Sequence, residues 1–86
     1  MPNNPLTALR KYYDFEIRTA EQVVQNTRLI PTVENYISDA KSRCLGALTL
    51  YQMLDKEIVR HTIAEYYHDN TIKKLDEICE KNKNRD

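Results

Sequence analysis

One glycine in 86 residues is the feature that most restricts this chain. Sheet proteins reverse direction every few residues and need turn formers to do it. One glycine and three prolines therefore argue against an all-β fold and for helices. At 41% hydrophobic and 30% charged, the composition is that of a globular chain rather than a disordered one. The length fits one helical domain over residues 1–86, with residues 1–4 and 82–86 expected to fray.

The helices are legible from their caps and stripes. Asn4 is placed to cap a helix whose first residue is Pro5, where a missing N–H costs nothing. Leu6, Leu9, Tyr13, Ile17, Ala20, Val24 and Thr27 then recur every three or four residues, which predicts a helix over about 5–29. Pro31 ends it, and Thr32 is the expected cap of the next. A second stripe runs through Val33, Ile37, Ala40, Cys44, Leu48, Tyr51, Leu54 and Ile58 toward Ile63 and Tyr66 or Tyr67. Its phase survives Gly46, so a continuous or slightly kinked helix is expected over about 32–67, with Ala40, Gly46 and Ala47 giving a neighbouring backbone room to approach. His68-Asp69-Asn70-Thr71 reads as punctuation, followed by a short helix over about 71–82 with Ile72, Leu75, Ile78 and Cys79 on its apolar face.

The fold expected is therefore all-α: an antiparallel hairpin plus a short C-terminal helix, as a three-helix bundle or a dimeric helical bundle. Helices of these lengths span about 38 Å and about 54 Å. The first cannot cover the second, so its far end needs the C-terminal helix, a second copy or a partner.

Charge and cysteine usage narrow the function classes. Thirteen basic and thirteen acidic residues cancel and are interspersed, so no broad field recruits nucleic acid or an anionic membrane. Cys44 and Cys79 form neither a CxxC motif nor a disulfide framework. No segment reads as a signal peptide or a membrane span, which makes the cytoplasm the expected compartment.

Few constellations carry chemistry. His61, Glu65 and His68 share a helical face, and Glu65-Tyr66-Tyr67-His68 fits the Glu-x-x-His pattern of metal-binding bundles, although no second motif accompanies it. Arg10-Lys11, Lys41 with Arg43, and Lys73-Lys74 could assemble a nucleic-acid contact, but each has an acid within about a turn. Pro5-Leu6-Thr7-Ala8-Leu9-Arg10 resembles the opening helix of the all-α chorismate mutases. That resemblance implies carboxylate binding by Arg10, Arg28 and Lys41, yet Pro31 interrupts the chain where that family's helix continues. Neither cysteine has a histidine in helical register, and no glycine-rich loop exists to cradle a phosphate.

Six tyrosines remain. Tyr13 and Tyr51 fall on apolar stripes, whereas Tyr12, Tyr36, Tyr66 and Tyr67 fall at or near stripe margins. Tyrosine offers large contact area at low entropic cost, so these four are the candidate partner-binding residues. The sequence thus reads as a non-enzymatic interaction module without a cofactor or a catalytic set, a regulator, adaptor or inhibitor binding a protein partner or itself as a homodimer. A nucleic-acid-binding regulator and a metal-binding helical bundle are the alternatives.

Overall fold

A computed structural model describes residues 4–84 of the chain; the expected fraying of the ends falls partly on residues 1–3 and 85–86, outside that range. Three helices follow one another: α1 (Pro5–Asn26), α2 (Ile30–Leu54) and α3 (Ile58–Lys83). Each packs against both others, in a bundle measuring 46 × 22 × 15 Å. The expected all-α three-helix bundle is what the chain forms.

The N-terminal cap is as the sequence reads. Asn4 Oδ1 accepts the Thr7 N–H at 2.8 Å, and Pro5 opens the first turn. The far end of α1 comes earlier than the stripe suggests. The Thr27 N–H still bonds the Val23 carbonyl at 3.0 Å, but Arg28 turns left-handed, at φ 58°, and reverses the chain. Pro31 lies inside the first turn of α2, where no intrahelical donor is needed. Leu29, rather than Thr32, is therefore the residue that precedes the helix.

α2 passes through Gly46 unbroken. A Cβ there would meet nothing within 4 Å, so Gly46 admits no neighbouring backbone; Ala40, fully buried, is a close-packed position of this helix.

The largest departure is the position of the second connection. The sequence reads as one helix to residue 67 and a break at 68–71, but the chain breaks at Asp55-Lys56-Glu57, and α3 continues straight through His68-Asp69-Asn70-Thr71. The inward line of α3 runs His61, Ala64, His68, Thr71, Leu75, Ile78, Asn82, with steps of three and four throughout. Its apolar signal is interrupted because polar side chains occupy core positions. The Thr71 hydroxyl satisfies itself on the Tyr67 carbonyl at 2.8 Å. His68 lies against the Tyr13 ring, 5.9 Å between centroids, with its Nε2 buried and unbonded among the described residues. Helices of 22, 25 and 26 residues are nearly equal, so the length mismatch expected from the sequence is absent.

The core joins Leu9, Tyr13, Ala20 and Val24 to Val33, Ile37, Cys44, Leu48 and Tyr51, and α3 adds Ala64 and Leu75. Burying side chains of this size contributes roughly 1.5–3 kcal/mol each. α1 and α2 thus supply most of the apolar core, and α3 closes over it.

Candidate interaction site at the α2–α3 corner

The second connection is held by one carboxylate. Asp55 is buried, and its Oδ2 accepts the Tyr51 hydroxyl at 2.6 Å and Arg60 Nε at 2.7 Å. Its Oδ1 accepts Arg60 Nη2 at 3.0 Å and the Glu57 backbone N–H at 3.1 Å. The two-point Arg60 contact, then the Tyr51 hydroxyl, hold the Asp55 carboxyl far below the usual carboxylate range. Burial, then the Asp55 carboxylate, pushes the Tyr51 phenol up to about 12. His61 Nε2 contacts the Asp55 carbonyl, and its ring meets Tyr51 edge-on at 5.8 Å. α3 has no side-chain cap of its own, so this cluster shapes the corner.

Around that polar knot the surface is apolar. Leu50, Met53, Leu54, Ile58 and Val59 are each 56–73% exposed, although all five are large hydrophobic residues. Leu50 and Leu54 border a groove of about 250 Å³ that α1 completes with Pro5, Ala8 and Tyr12. By helical spacing, Ile63 and Tyr66 prolong the face begun by Val59, and both are exposed. At the opposite end of the bundle the exposed large apolar residues are Leu29 and Ile30.

The four tyrosines selected from the sequence do not form one site. Tyr12 borders the apolar groove and donates its hydroxyl to Glu16. Glu16 is buried and held at two points by Arg43, at 2.8 and 3.0 Å, and Arg43 in turn lies over Tyr36 at 5.2 Å. Burial pushes the Glu16 carboxyl up, but hydrogen bonds from Arg43 and Tyr12 outweigh it and hold the group below its ordinary value. Burial, then that same bond, takes the Tyr12 phenol up to about 12. Tyr66 and Tyr67 instead line a depression between α1 and α3, where Arg10 lies 5.7 Å from the Tyr67 ring. Tyr12 is thus the one of the four that borders the apolar groove, while Tyr66 and Tyr67 line the α1–α3 depression and Tyr36 packs at the core margin beside Arg43.

The other sequence candidates are dispersed. His61 faces the Asp55 carbonyl, Glu65 accepts from Gln52 at 3.0 Å, and His68 faces the core, so the three do not converge. Among the described residues, no group of three metal-ligating side chains occurs. Lys41 pairs with Asp76 at 2.8 Å and Arg43 with Glu16, which occupies two members of the basic set. Arg10 stacks on Tyr67, while Arg28 forms the first connection, so the set implied by the chorismate mutase resemblance is scattered. Burial raises both cysteine thiols, Cys44 to about 11, which keeps them protonated at neutral pH.

Leu50, Met53 and Val59 carry the exposed corner and lie off the apolar stripe that the sequence shows. The available signal was an excess of apolar residues: Leu48, Leu50, Tyr51, Met53 and Leu54 cover more of a helix than one buried stripe requires. No described helix is long and apolar enough to cross a membrane. The chain matches no protein-family model, and neither a curated protein nor a solved structure is detectably similar to it.

Proposed function

We propose that this chain is a small non-enzymatic interaction module that self-associates through the α2–α3 corner. The carrying observation is the exposure of Leu50, Met53, Leu54, Ile58 and Val59 around one connection. Their combined apolar surface is on the order of 500 Å², the upper range for a monomer patch and often functional at that size. A net charge of zero adds no repulsion between copies. Tyr12 borders the groove beside Leu50 and Leu54 and supplies an aromatic contact at its rim.

Sedimentation velocity across a concentration series tests this reading. The wild-type chain is expected to associate, and Met53→Glu with Val59→Glu to remain monomeric with an unchanged helical spectrum and Tm. A wild-type chain that stays monomeric throughout, or a double variant that associates equally well, overturns it.

A further inference from the structure

Two observations at the corner point beyond a surface contact. The first is that Leu54-Asp55-Lys56-Glu57-Ile58 contains neither glycine nor proline, and its Leu, Lys and Glu favour helix. The exposed Leu50, Leu54 and Ile58 are four residues apart across the break, so they would form one stripe if α2 and α3 were a single helix. No backbone device enforces the reversal: Asp55 is in ordinary extended geometry, at φ −106° and ψ 121°. What holds the bend is the Asp55 side chain, through Tyr51, Arg60 and the Glu57 N–H.

The second observation is area. Two corner patches laid face to face bury about 1,000 Å² in total, the low end for a specific interface. If α3 instead crosses to a second copy, its whole packing against α1 and α2 is re-formed between chains. The Lys41–Asp76 and Lys83–Glu34 ion pairs that join α2 to α3 re-form with it. The exposed stripes of the two chains then meet at the crossing, and the freed backbone groups at 55–57 enter helical bonding. The cost is the Asp55–Arg60 contact and the entropy of association.

We infer that the partner of the corner is a second copy of this chain, engaged by straightening residues 54–58 into a continuous helix and exchanging α3. This rests on the self-association proposed above and names its mode. The stripe at 50, 54 and 58 is the seam of the exchanged dimer, and Asp55 is the latch of the closed monomer.

The test uses the intact chain. Equal amounts of ¹⁴N- and ¹⁵N-labelled protein are unfolded, refolded together at high concentration, and the dimer is isolated. A zero-length carbodiimide then couples Lys41 to Asp76, whose Nζ and Oδ1 are 2.8 Å apart. Exchange predicts that the statistical half of the coupled Lys41–Asp76 peptides in the dimer are mixed-isotope. A dimer giving only single-isotope pairs overturns exchange but leaves self-association standing, whereas absence of any dimer overturns both.

Lys56→Pro supplies an independent readout. Asp55 already has the geometry a residue before proline prefers, and the Lys56 N–H makes no hydrogen bond among the described residues. The closed monomer should therefore keep its helical spectrum, while dimerisation weakens by ~100-fold or more because proline breaks the continuous helix. Inserting Gly-Ser-Gly after Lys56 relaxes the bend without proline and is expected to favour the monomer likewise. Dimerisation unchanged in both variants overturns the inference.

Discussion

The two connections of this bundle are each three residues long, yet they are enforced by different means. At 27–29 the backbone does the work. Arg28 is left-handed, Pro31 follows within the first turn of α2, and Asn82 reaches the Arg28 carbonyl at 3.5 Å. At 55–57 the backbone is unexceptional and side chains do the work, through Asp55 and its three donors. Proline at 31 prevents α1 and α2 from joining into one helix, whereas nothing covalent prevents α2 and α3 from doing so. A bend enforced by backbone geometry is fixed, but a bend enforced by hydrogen bonds is an equilibrium. The second connection is also where the large apolar side chains gather on the surface.

Asp55→Ala should widen that contrast most. It removes the acceptor for Tyr51, Arg60 and the Glu57 N–H together. We expect the largest loss of thermal stability in dilute protein and, at higher concentration, a greater dimer share by light scattering. Acid should act in the same direction. The folded pKa values of Asp55 and Glu16 are both lowered, so their stabilisation is complete above the unfolded carboxyl values near pH 4 and is lost as pH falls below them. Tm followed from pH 7 to pH 2 should decline below about pH 4, less steeply in Asp55→Asn. An Asp55→Ala chain with wild-type Tm and mass would leave the latch without support.

The first connection should respond in the opposite sense and more weakly. Holding a non-glycine residue left-handed costs about 1 kcal/mol, so Arg28→Gly is expected to raise Tm by roughly 4–8 °C. Its solution mass should not change, because the reversal there is already fixed. A lower Tm, or a shift in association, would place the two connections on the same footing.

The same contrast explains which parts of the fold were legible. Caps and prolines act locally, so Asn4-Pro5 and the interruption at Pro31 could be read directly from the chain. The corner at 55–57 depends on Arg60, five residues onward, meeting a carboxylate that only the folded turn buries, and no local pattern encodes that. The extent of α3 is hidden in the sequence for a related reason. His68 and Thr71 resemble punctuation in sequence, whereas in the bundle they point inward beside Ala64 and Leu75 and continue the stripe. Straightening residues 54–58 would restore the uninterrupted helix that the periodicity suggests. The tyrosines were recognisable as unusual, but burial divided them: Tyr12 bonds buried Glu16, Tyr36 lies under Arg43, and Tyr66 is exposed. The apolar corner exists because α2 ends at Leu54, which no local pattern marks.

Amide hydrogen exchange followed by NMR at low and high protein concentration compares the two connections in one sample. Amides of residues 50–59 are expected to gain protection as concentration rises, while those of residues 26–32 do not change. Protection independent of concentration throughout the chain, or a gain confined to residues 26–32, would contradict the assignment of the α2–α3 corner as the interaction surface.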